Sequence, residues 1–88
     1  MNIKVNDVYR VRSSWLTNKA NAGISKLMPE FKPGALIKVL EVDSTFANAT
    51  MISIDGGPAI DIEHSKISAY FWSFISMADI NKGYLVKA

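Results

Sequence analysis

The sequence predicts a mainly β domain, a small barrel of about five strands with one short helix carried in a long loop. Three observations predict it. Apolar and polar residues alternate in several short runs, which is the period of a half-buried strand. Turn-forming residues recur about every 8–12 residues, the spacing of small all-β folds. The chain has 88 residues, and a domain of that size buries only about 60–65% of its extended surface, enough for one core. No repeat and no Pro-, Gly- or Ser-rich linker divides it, so residues 1–88 are read as a single domain.

The first strand is read over Ile3 to Val11: Ile3, Val5, Tyr9 and Val11 share one face, Lys4, Asn6, Arg10 and Arg12 the other, with a kink at Asn6-Asp7. Ser13 to Gly34 loses that alternation. Within it Ala20, Ile24, Leu27 and Met28 recur at helical spacing between Thr17, an N-cap residue, and Pro29, a stop, so this stretch is a long loop with one short helix. Lys32-Pro33-Gly34 is a turn leading into Ala35 to Asp43, which is apolar on both faces apart from Lys38 and Glu41, as in a central strand. Thr50 to Ile54 forms a third strand, Asp55-Gly56-Gly57 a hairpin turn, and Ala59 to Glu63 a fourth strand entered through Pro58.

Residues 67–78 fit two periods. Ile67, Tyr70, Phe71, Phe74, Ile75 and Ala78 recur at helical spacing, yet the aromatic and β-branched content of Tyr70 to Ile75 favours a strand. After Asn81-Lys82-Gly83 a last short strand runs from Tyr84 to Lys87. Ile3, Val5, Tyr9, Val11, Ile37, Val39, Ile52 and Ile54 are the expected core. Closing the strands into a barrel removes the exposed edges that an isolated sheet leaves.

The runs Val5-Asn6-Asp7-Val8-Tyr9-Arg10-Val11 and Phe31-Lys32-Pro33-Gly34-Ala35-Leu36-Ile37-Lys38-Val39-Leu40-Glu41-Val42 resemble the first two strands of SH3-like small barrels of the KOW type. A glycine usually precedes the opening aspartate in that family, where this chain has Asn6. The resemblance implies a five-stranded SH3-like barrel that binds proteins or RNA. It transfers no site residue.

The composition is that of an ordinary folded domain, 49% hydrophobic and 20% charged. With no cysteine the chain has no disulfide, thiolate nucleophile or cysteine metal site, which suits the cytoplasm. The start alternates and carries Asp7, unlike a secretory signal. The longest uncharged run, Ile67 to Ala78, falls well short of the roughly 20 residues that span a bilayer, so no membrane partner is expected. The net charge of +2 conceals an asymmetry: residues 1–40 hold seven cations against two anions, residues 41–88 three cations against six anions.

A nucleophile needs a base within hydrogen-bond reach. The single histidine, His64, lies between Glu63 and Ser65, and adjacent strand residues face opposite ways, so the three form no relay and no catalytic residue is assigned. Asp55, Asp61 and Glu63 lack the spacing of a cation loop, and Asp55-Gly56-Gly57 lacks the Lys and Ser/Thr of a phosphate loop, so no metal or cofactor is expected. Lys4, Arg10 and Arg12 make a basic row on the first strand that fits a phosphate backbone.

Trp15, Tyr70, Trp72 and Phe74 carry more aromatic area than one side of a small barrel uses. Either the loop at 13–33 covers the surplus or a second chain does. The leading reading is a non-catalytic protein-binding module: a homo-oligomer, or a small inhibitor of the phage or mobile-element type that docks on a larger protein through those aromatics. The alternative is a nucleic-acid-binding barrel that uses Lys4, Arg10 and Arg12.

Overall fold

The computed structural model describes residues 3–21, 23–43, 45, 48–70 and 75–88. Five strands form one antiparallel sheet: β1 (Val8–Val11), β2 (Leu36–Val42), β3 (Ala49–Ile54), β4 (Ile60–Asp61) and β5 (Leu85–Lys87), in the order β4-β3-β2-β1-β5. The fold is mainly β, as the alternation predicts. Strands β2, β3 and β4 follow one another, while β5 returns to the far side of β1. The register places Tyr9 opposite Ile37, Ile37 opposite Ile54 and Val11 opposite Leu85, so these apolar residues share the inner face. Register shifts around Glu41 mark bulges in the β2–β3 pair, which bend and twist the strands there.

The loop between β1 and β2 covers the inner face. It carries two short helices where the sequence predicts one, α1 (Ser13–Thr17) and α2 (Ile24–Leu27), with a 3₁₀ turn at Lys19–Asn21 between them. Thr17 ends α1 and caps nothing in α2, which starts after Gly23. The loop drives Trp15, Ile24 and Phe31 into the core, each fully buried. The Trp15 and Phe31 rings meet at 5.9 Å and a 54° tilt, within the favoured range for an aromatic pair. Buried Asn21 holds the crossing by donating from its side chain to the Trp15 carbonyl at 2.8 Å. The loop ends on Lys32-Pro33-Gly34-Ala35, where the Ala35 N–H donates to the Lys32 carbonyl and Gly34 takes φ +86°. Pro followed by a left-handed Gly is the pattern of a type II turn.

The first strand is shorter than the alternation suggests. Lys4 to Asp7 forms a turn, with the Asp7 N–H donating to the Lys4 carbonyl and Asn6 at φ +76°. This breaks the face pattern, so Ile3 stays in the core while Val5 is 52% exposed, a correction to its expected place there. Tyr9, Val11, Ile37, Val39, Ile52 and Ile54 are buried as expected, joined by Ala35, Ala49, Ile62, Ile67, Ile75 and Leu85.

The fourth strand also shrinks, to Ile60–Asp61, and the chain then tightens into a 3₁₀ turn at Ile62–His64 that buries Ile62. The strand favoured for Tyr70 to Ile75 is absent at its described ends: Ser68–Tyr70 is a 3₁₀ turn, and Ile75 takes φ +50°. Residues 71–74 lie outside the described residues. A third helix, α3 (Met77–Asn81), follows. Asp79 reaches back to its start, accepting from the Ser76 N–H at 2.9 Å and the Ser76 hydroxyl at 3.3 Å, which supplies the backward half of a capping box. At its end Gly83, at φ +75°, donates to Ile80 while Tyr84 donates to Asp79, which is a Schellman stop.

Candidate functional site

The aromatic candidates separate. Trp15 lies in the core at 0% exposure, so it offers no contact surface, a correction to its expected interface role. Its burial follows from the loop crossing over the sheet, which sets it against Phe31. The Tyr70 side chain, Trp72 and Phe74 lie outside the described residues.

The basic candidates separate as well. Lys4 belongs to the turn before β1 and not to the strand face, because Asn6 reverses the backbone between them. Arg10 and Arg12 are exposed, but they reach to opposite sides of β1. Arg10 donates to the Gly34 carbonyl at the entry to β2, and Arg12 to the Gly83 carbonyl before β5, each at 3.4 Å. They cap two turns and do not form a continuous row with Lys4.

Asp7, at the start of β1, gathers three donors. Its carboxylate accepts from the Lys4 N–H and the Tyr9 hydroxyl, each at 3.0 Å, and pairs with Lys87 at 3.5 Å. These contacts, the Lys4 backbone bond foremost, hold its pKa below the usual carboxylate value. Burial, then the Asp7 hydrogen bond, pushes the Tyr9 phenol up to about 12, so it stays a neutral donor. The cluster ties one end of the β1–β5 pair, where β1 starts and β5 finishes, to the turn at Lys4.

His64 is bonded through Nδ1 to the Asp61 carboxylate at 3.0 Å, both on open surface. That bond raises the imidazole pKa and lowers the Asp61 pKa. Among the described residues no group of three His, Asp or Glu side chains is placed to hold a metal ion. In α3, burial raises the Asp79 carboxyl, opposed by the two Ser76 hydrogen bonds and one with the Trp15 side chain.

Recesses among the described residues mark the surface. One, of about 400 Å³, is lined by Glu41, Asp43, Asp61 and Glu63 with Thr45 and Thr50 among others. A second, also about 400 Å³, lies between Leu27, Met28 and Pro29 on one side and His64 and Lys66 on the other. A third, of about 370 Å³, opens on the outer face of the sheet beside Val8, Leu36 and Lys38. Sequence reasoning did not single out the last, although Val8, Leu36 and Lys38 all fall on the polar-side positions of their strands.

The small antiparallel sheet presents apolar and charged residues to solvent. A family model described as PinA peptidase inhibitor matches residues 4–85, and the chain belongs to that family. It is a small inhibitor whose partner is a protein, a peptidase. Comparison with curated proteins and with solved structures returned no match.

Proposed function

We propose that this chain inhibits its peptidase by docking on it as a folded, non-catalytic domain that is not itself cleaved or turned over. The observation that carries this reading is the family match over residues 4–85, which takes in every strand but the end of β5. Its small size and family support the phage or mobile-element type of inhibitor. Its lack of cysteine supports a cytoplasmic site of action. The five-stranded antiparallel sheet supports the small-barrel part of the KOW-type likeness. The test is digestion of fluorescent casein by a panel of purified peptidases: serine, cysteine, aspartic, threonine and metallo types, with ATP-dependent proteolytic machines included. Saturable inhibition of at least one member, with the inhibitor recovered intact, is expected. Inhibition of none, or recovery of a cleaved chain, overturns the reading.

Trp72, flanked in sequence by Tyr70 and Phe74, is the proposed anchor. Tyr9, Trp15 and Phe31 are the buried aromatics of the described core, and the further aromatic area of the Tyr70-to-Phe74 run supports a contact role for Trp72. Replacing Trp72 by Ala is then expected to weaken inhibition by about 2–4 kcal/mol while the melting temperature holds. A loss of fold in thermal melts followed by circular dichroism, or unchanged inhibition, rules the anchor out.

A further inference from the structure

The outer face of the sheet is made by the residues that alternate with the core. Val86, Arg10 and Leu36 stand side by side across β5, β1 and β2, and Val8, Lys38 and Ser53 form the next row across β1, β2 and β3. Residues directly opposite on neighbouring strands project to the same side, so these six share one face, on which Ser53 is buried and bonded to the Gly57 carbonyl. Val86 is 45% exposed, and Val8 and Leu36 are half-buried. Between Val8, Leu36 and Lys38 lies the open depression of about 370 Å³.

Its charge is unbalanced. The ion pairs among the described residues are made by Lys87 and His64, not by Arg10 or Lys38. Asp55, at the margin of the same depression, accepts from the Leu36 N–H at 2.9 Å and keeps its negative charge. The face therefore offers two cations around an apolar strip with one anion at its edge, a net positive balance.

We propose that the Val8–Arg10–Leu36–Lys38–Val86 face is a docking surface for an acidic patch on the inhibited peptidase, one in which carboxylates flank an exposed apolar side chain. The proposal rests on the inhibitor reading and names a contact separate from Trp72. Charge complementarity selects the occupant: the carboxylates meet Arg10 and Lys38, and the apolar group meets the strip. A nucleic acid backbone matches the charge but brings no apolar group, and among the described residues the face has no aromatic ring on which bases could stack. A second copy also carries carboxylates, at Glu41, Asp43, Asp61 and Glu63 around the recess near β4, and that occupant would show itself as a dimer in solution.

The experiment compares inhibition by the wild type, the double variant Arg10→Glu/Lys38→Glu and the control Lys66→Glu/Lys82→Glu, using the peptidase that the wild type inhibits and fluorescent casein. The double variant is expected to need at least tenfold more protein for half inhibition, the control less than twofold more. Wild-type inhibition is expected to weaken as salt rises. If the double reversal unfolds the sheet, Val86→Asp on the exposed edge replaces it, with the same tenfold loss expected. Unchanged inhibition in a folded variant overturns the surface and leaves the inhibitor reading standing. Equal losses in variant and control overturn it in favour of bulk charge. A wild-type dimer in sedimentation velocity, lost in the double variant, overturns it in favour of self-association. Inhibition of no peptidase by the wild type overturns both readings.

Discussion

At the turn after β4, the bond between His64 and Asp61 makes a pH-dependent contact whose sign follows from its two titrations. The imidazole pKa is raised above its ordinary 6.5, so its contribution is complete below 6.5 and is lost as pH rises through the folded value. The carboxyl is lowered below its ordinary 3.8, so its contribution is complete above 3.8 and is lost as pH falls through the folded value. The pair is intact between the two. An NMR titration of His64 is expected to give a midpoint above 6.5, and Asp61→Asn to bring it down; an equal midpoint in both proteins refutes the contact. At this scale the sequence was least informative. Alternation places Val5 with Ile3 because it assumes an extended backbone, and the left-handed turn at Asn6 reverses that assumption for one residue pair. Asn tolerates that conformation, and the kink read at Asn6-Asp7 was the available signal. Trp15 gave no sign of burial, since its packing on Phe31 exists only once the loop has crossed the sheet.

Secondary-structure elements were legible where local chemistry decides them. Strands β2 and β3 appear within a residue of their expected limits, because β-branched alternation and flanking turns agree. Helix α3 was obscured, although Ser76 and Asp79 at capping-box spacing and Gly83 as a stop were present; the aromatic run before it suggested a strand. Ile75 shows why period alone misleads here. It is fully buried in a left-handed conformation that costs a β-branched residue about 1–3 kcal/mol, so tertiary packing imposes it. The Lys32-Pro33-Gly34 turn is the opposite case, with chemistry and geometry in accord. A side chain on Gly34 meets no atom within 4 Å, so only the backbone at φ +86° resists it. Gly34→Ala is therefore expected to lower stability by about 1 kcal/mol in urea unfolding with the slope unchanged. A stabilised variant refutes the left-handed assignment.

On the scale of the whole molecule, the basic first half and acidic second half sort partly by place. Arg10 and Lys38 occupy the outer face of β1 and β2, and Glu41, Asp43, Asp61 and Glu63 gather toward β4. Composition announced the asymmetry, but its location depended on strand order, which no local pattern encodes. The inhibitor class was legible only as one reading among several, because a docking surface has no fixed spacing of acid, base and nucleophile to betray it.

The return of β5 to the far side of β1 also sets a clock. Lys87 opposes Tyr9 across almost the full length of the chain, whereas β2 ends at Val42 and β3 begins at Ala49, close by in sequence. Closing so long a loop must precede any gain from its contacts, so β5 is expected to dock late, after the β2–β3 hairpin has formed. Leu85→Ala should then speed unfolding and leave the stopped-flow refolding rate almost unchanged, while Ile52→Ala slows refolding; equal effects on refolding refute this order. Since Val86 rides on β5, a nearly folded chain still lacks one border of its outer face. The surface that meets the peptidase is then the last part of the molecule to be finished.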